Sequence, residues 1–219
     1  MLKIDDVAPG IRGSDAMRLG YIRRWGMVST VREQDVASHS CRVALIVLFL
    51  LEEILKYYGP SDRLIRSARY VRATAMAMAI VHDLDEVFSG DIPSPFKKWA
   101  GEKVDSIPRP FDMESLFSNV DAVDENGLCR KLVHWADAVE AWVFISENAH
   151  TPHGLAVRDK INLTNMHQSL ANYLVDEGWV VEDEEIVGQV VLANKMENFA
   201  FSLRHVNFTT INETNWAGV

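Results

Sequence analysis

Apolar residues fall into blocks at helical spacing, separated by short polar or Gly/Pro breaks. The densest block, Val43 to Leu51, is apolar nearly all round and predicts a central helix running from His39 to about Tyr57, with Asp35 or Ser38 as N-cap. Gly59-Pro60 ends it, and Ser61 or Asp62 opens a second helix over about Arg63 to Val81. Along that helix Arg63, Arg66, Arg69 and Arg72 recur every three residues as a solvated or interfacial face, while its small Ala and Met residues suit close packing. Leu132, Val133, Ala136, Val139 and Val143 form a stripe on a third helix, which opens at Asp124-Glu125-Asn126 and reaches Phe144. Thr151-Pro152-His153-Gly154 reads as a turn, followed by amphipathic stretches over roughly 155–175 and 182–205 that wrap the core. No segment alternates long enough for a sheet and no repeat is visible, so the pattern predicts an all-α helical bundle.

Polar residues inside this pattern carry the chemistry. The apolar run Ala73 to Ile80 ends in Val81-His82-Asp83-Leu84-Asp85-Glu86. Burying a histidine beside carboxylates without partners costs several kcal/mol. A divalent cation compensates them economically, since imidazole nitrogen and carboxylate oxygen both suit Mn, Fe, Co, Ni or Zn. His39 opens the central helix, where a histidine is usually a cap or a satisfied core residue. Asp137 sits amid Trp135, Ala136, Ala138 and Val139 and needs a partner, an arginine or another cation. Arg23-Arg24 beside Trp25 reads as a solvated basic pair next to a core aromatic, or as a phosphate-binding arginine with an indole lining a base or sugar pocket. Prolines make Ser89 to Pro95 a turn and an extended piece, and Ala100 to Pro110 a loop, a lid or an oligomer contact. His134, His150, His153, His167 and His205 read as surface or structural residues, and the tail from Asn207 as loose or docked on a partner.

At 219 residues the chain suits one domain, with core motifs over 19–144 and C-terminal helices over 155–205. A net charge of -9 argues against a general nucleic-acid or anionic-membrane surface. Cys41 and Cys129 read as buried thiols of a reducing cytosol. The start lacks the basic-then-apolar order of a signal peptide, and the longest apolar run is too short to cross a bilayer. The expected location is cytoplasmic.

Taken in order, His39, His82-Asp83 and Asp137 follow an H…HD…D pattern. With them stand Arg24-Trp25, Glu33 through Ser40, Glu86, the Gly90-Asp91-Ile92-Pro93-Ser94-Pro95 segment with Lys97, and Ala136-Asp137-Ala138. Over roughly 19–144 the sequence resembles the HD-domain metal-dependent phosphohydrolases, and within them the bacterial 5′-deoxynucleotidase branch. The resemblance implies an HD-domain bundle in which His39, His82, Asp83 and Asp137 hold a divalent ion (Mn, Co, Fe, Ni, Zn or Mg). It implies Glu86 as general acid/base and Arg24 on the phosphate. Trp25 would pack against the sugar where a 2′-hydroxyl would sit, and Asp91 would lie near the sugar or leaving-group oxygen. Lys97 or Lys98 would lie near phosphate, with Ser94 where a threonine is frequent. The implied reaction releases phosphate from 2′-deoxynucleoside 5′-monophosphates, in a homodimer or larger homo-oligomer. Phage dATP triphosphohydrolases share the Arg-Trp, HD-x-x-E and GDIP-x-P features, so triphosphohydrolysis is the alternative. A non-catalytic nucleotide sensor with a structural quartet is the third reading.

Overall fold

The structure is a computed structural model and describes residues 16–93, 99–100, 123–181 and 189–204. These residues form helices α1 (Val36–Tyr57), α2 (Asp62–Val81), α3 (Glu86–Ser89), α4 (Val123–Asn148), α5 (Pro152–Lys160), α6 (Leu163–Asp176) and α7 (Gln189–Ser202), preceded by a 3-10 turn at Met17–Tyr21. Among them β pairing is confined to isolated bridges at Arg23–Asp35, Thr30–Ala149 and Pro60–Val180, so the all-α expectation holds.

Asp35 starts α1. Its carboxylate accepts the Ser38 N–H and hydroxyl, both at 2.7 Å, so the helix begins at Val36 and His39 falls on its inner face. Val43, Val47, Leu50, Leu51 and Ile54 follow on that face, all fully buried. The outer face carries Cys41, Leu45 and Phe49, which are exposed, so α1 is central but not apolar on every side. Cys41 therefore departs from the expected pair of buried thiols: helical spacing places it on the solvent stripe with Leu45. Cys129 is buried as expected, and burial pushes its thiol up to about 12.

Gly59 ends the α1 region at φ 65, a left-handed conformation that favours glycine, and its carbonyl accepts the Val181 N–H at 2.8 Å. Ser61 then caps α2. Of the α2 arginines, Arg66 and Arg69 are exposed. Arg63 instead lies over the Trp179 ring at 3.8 Å, and Arg72 pairs with Glu52 of α1. Helices α1, α2 and α4 pack against one another, and α6 lies on α4 and on α7. Trp135, Phe144 and Trp179 are the bulkiest side chains of the interior. No described helix is long and apolar enough to cross a membrane.

Two C-terminal expectations need correction. Thr151 to Gly154 is not a turn but the start of α5: the Thr151 hydroxyl accepts the Gly154 N–H at 3.2 Å, and Pro152 occupies the first helical position. The stretch 155–175 is two helices, because the Asn162 side chain caps α6 by accepting the Asn165 N–H at 3.1 Å. Residues 94–98, 101–122 and 182–188, His205 and the tail from Asn207 lie outside the described residues, and the expectations for Ser94, Lys97, Lys98 and the loop fall with them.

His167 on α6 is a structural histidine. It is buried, and its Nδ1 accepts the Trp135 Nε1–H at 3.0 Å. Burial pulls its pKa down to about 4. Its folded-state value thus lies below the unfolded one, so its stabilising contribution is complete above about pH 6.5 and is lost as pH falls toward 4. Denaturant unfolding at pH 7 and pH 4.5 should show a loss about 2–3 kcal/mol larger for the wild type than for His167→Gln, which keeps an acceptor without the titration. Equal losses would remove His167 as the cause.

Candidate metal centre

Three helices deliver the site. The first turn of α1 supplies His39, the end of α2 supplies His82 and Asp83, and the middle of α4 supplies Asp137. Their donor atoms converge. His39 Nε2 lies 3.1 Å from Asp137 Oδ1, 3.2 Å from His82 Nε2 and 3.6 Å from Asp83 Oδ2. His82 Nε2 lies 3.3 Å from Asp83 Oδ2 and 3.9 Å from Asp137 Oδ1. Donors bound at metal–ligand distances around one cation stand roughly 3–3.5 Å apart. Two neutral imidazoles and two carboxylates are also a donor set that suits a first-row divalent ion, so residues and spacing fit such an ion.

Both imidazoles are held in the tautomer that turns Nε2 toward this centre. His82 Nδ1 donates to the Ala79 carbonyl at 2.7 Å, and His39 Nδ1 donates to Glu140 Oε2 at 2.6 Å. Burial pulls the His39 pKa down, but hydrogen bonds to Asp137 and Glu140 outweigh it and leave it raised. For Asp137, burial pushes upward, yet the hydrogen bond to His39 and the charges of His39, His82 and Arg24 hold it well below the ordinary carboxylate range. The partners of Asp137 are thus the two histidines, with Arg24 acting at longer range.

Glu86 opens the short helix α3, one turn after Asp83, and is buried. Its N–H is bonded to the Asp83 carbonyl at 3.0 Å, which fixes the acid close to the cluster. Arg24 and Trp25 come from an extended piece paired with the residues before α1: the Arg24 N–H donates to the Gln34 carbonyl at 2.8 Å and the Val36 N–H to Ile22 at 3.0 Å. Arg24 Nη1 is buried with no hydrogen-bond partner among the described residues. Trp25 has φ 64, which costs a non-glycine residue about 1–2 kcal/mol and persists only when its surroundings enforce it. Three contacts do so. Its N–H donates to Asp91 Oδ2 at 3.2 Å, its Nε1–H to Gln34 Oε1 at 2.7 Å, and its ring lies parallel to Phe144 at 6.1 Å. Asp91, expected near the sugar or leaving group, is thereby fastened to the tryptophan backbone.

Glu140 and Gln34 escaped the sequence reading. Glu140 was visible in principle, as a second acid three residues after Asp137 beside the α4 stripe. Gln34 carried no local signal. A separate cavity of about 530 Å³, lined among others by Trp142, Arg158, His167 and Phe201, shares no residue with the cluster.

A helical bundle that gathers two histidines and two aspartates from three helices, with a half-buried arginine nearby, is the arrangement expected of a helical metal-dependent phosphohydrolase. The chain is similar to HD-domain phosphohydrolases in sequence and shares the fold of one of them. A family profile described as 5′-deoxynucleotidase YfbR-like matches residues 15–109. The chain is 26% identical over 168 residues to the dATP triphosphohydrolase of Cyanophage S-2L, covering 74% of this chain and 85% of the relative. It is 33% identical over 137 residues to the dATP triphosphohydrolase of Salmonella phage PMBT28, covering 61% and 66%. It is 29% identical over 145 residues to the 5′-deoxynucleotidase YfbR of Escherichia coli O1:K1, covering 58% and 66%. Among solved structures, the Cyanophage S-2L HD phosphohydrolase bound to dA and one catalytic Zn2+ ion shares the fold, with a TM-score of 0.53 at 22% identity over 88% of this chain and 98% of that one.

Proposed function

We propose that this chain hydrolyses 2′-deoxynucleoside 5′-phosphates with a divalent metal held by His39, His82, Asp83 and Asp137, and that the principal reaction is release of phosphate from the monophosphates. The observation that carries the reading is that His39 Nε2 and His82 Nε2 lie 3.2 Å apart and each within 3.1–3.9 Å of a carboxylate oxygen of Asp83 and of Asp137, beside a buried arginine nitrogen. A bound ion would supply a water of lowered pKa and polarise a phosphoryl oxygen.

The chain's own residues do the rest. Arg24 presents its buried nitrogen to a phosphate oxygen, a charge-assisted bond that leaves no donor orphaned. Trp25, rigidly held, forms the wall against which the deoxyribose packs, and Asp91 keeps that wall in place. Glu86 takes or returns the proton as the water oxygen forms its bond to phosphorus and the P–O5′ bond breaks; the nucleoside leaves with a proton on O5′. In the two phage relatives the name is dATP triphosphohydrolase, which supports a second reading in which the bond broken leads to tripolyphosphate. The proposed setting is a single cytoplasmic domain assembled as a homo-oligomer.

Incubation of dAMP, dATP and AMP separately with protein and Mn2+ or Co2+ tests this. Orthophosphate from dAMP, with AMP much slower, is the expected result. Tripolyphosphate from dATP with dAMP untouched would replace the first reading by the second, and nucleotide binding without turnover would leave a sensor. A monomer in sedimentation of the same preparation would remove the assembly.

A further inference from the structure

Between the tryptophan wall and the metal cluster runs a chain of three hydrogen bonds whose donation converges from both ends on the Glu140 carboxylate. Trp25 Nε1–H donates to Gln34 Oε1 at 2.7 Å, Gln34 Nε2 donates to Glu140 Oε1 at 2.6 Å, and His39 Nδ1 donates to Glu140 Oε2 at 2.6 Å. An indole only donates and an ionised carboxylate only accepts, so one orientation of the Gln34 carboxamide satisfies both neighbours. The carboxylate in turn fixes the proton of His39 on Nδ1, leaving Nε2 to face Asp137 and His82. Gln34, Glu140 and His39 are all buried, at 3%, 2% and 0% exposure, so no water replaces a broken link cheaply. The Gln34 backbone is anchored independently, since its carbonyl accepts the Arg24 N–H.

We propose that Gln34 is a positioning residue that sets the Trp25 wall and the His39 imidazole in one register, so that a change at the substrate side is felt at the metal side. The proposal rests on reading the His/Asp cluster as the metal site. Its consequence is specific. Trp25→Phe, which keeps an aromatic ring but has no N–H to donate to Gln34, should alter metal binding across three hydrogen bonds, and should do so only while Gln34 is present.

Co2+ titration of wild type, Gln34→Leu, Trp25→Phe and the double variant, followed by calorimetry and by the visible Co2+ bands, reads this without turnover. One Co2+ binds the wild type. Gln34→Leu weakens binding about tenfold and moves the bands, because Glu140, the outer partner of His39, loses the donor that orients its other oxygen. Trp25→Phe weakens it about threefold, and the double variant is no weaker than Gln34→Leu alone, the signature of a shared path. In turnover, Gln34→Leu raises KM for the deoxynucleotide more than it lowers kcat. Should Gln34→Leu melt far below the wild type, Gln34→Glu takes its place: it keeps an acceptor for Trp25 but sets a second carboxylate against Glu140, and the Co2+ affinity should change by more than about twofold. An unchanged isotherm for the folded variant, or factors that multiply in the double variant, overturns the coupling. A wild type that takes up no Co2+ overturns the metal reading itself and the proposal with it.

Discussion

His82→Ala should yield a folded protein that carries no stoichiometric divalent metal and whose kcat/KM on its deoxynucleotide falls by at least about a thousandfold. The size follows from the geometry. His82 faces all three other members of the cluster, with Nε2 3.2 Å from His39, 3.3 Å from Asp83 and 3.9 Å from Asp137. Removing it leaves the two carboxylates with one imidazole, too few donors for a tight catalytic site. A metal supplies several kcal/mol of transition-state stabilisation, and each 1.4 kcal/mol, roughly, is a factor of ten. Elemental analysis of the purified variant and kinetics with added Mn2+ check both halves. Full metal content with wild-type kinetics would place the centre elsewhere.

Glu86→Gln should separate binding from chemistry. The substitution keeps the shape of a buried residue one turn after Asp83 but deletes its capacity to carry a proton. Metal content and KM should stay within a few-fold of the wild type, while kcat drops by about 10²–10⁴, the usual range for loss of a general acid or base. A kcat within twofold of wild type would reduce Glu86 to a structural acid.

The sequence was most readable where one residue's neighbours in the chain are also its neighbours in space. The helices, the breaks at Gly59-Pro60 and the position of His82-Asp83 at a helix end all follow from local periodicity. Local pattern also misled, because Pro152 after a cap-forming threonine starts a helix as readily as it makes a turn. Cys41 shows a similar failure: an apolar run does not reveal which of its sides meets solvent. The partnership of Gln34 and His39 with Glu140 was illegible for another reason. Their bonds span 106 residues from Gln34 to Glu140 and 101 from His39 to Glu140, and no spacing rule reaches that far. What made His39 and Asp137 stand out was the family-like order of motifs, since each alone admitted a plain structural account.

The docking of α4 against the α1–α2 pair is also the event that brings Asp137 to His39. Neither half of the bundle possesses the centre before they meet. With the proposed ion in that centre, occupancy and tertiary closure are thermodynamically linked, and an ion that binds only the closed arrangement adds RT ln(1 + [L]/Kd) to its stability. A cell short of the ion would lose not only turnover but also part of the protein's resistance to unfolding and proteolysis, making metal supply a control on how long the enzyme lasts as well as on how fast it works.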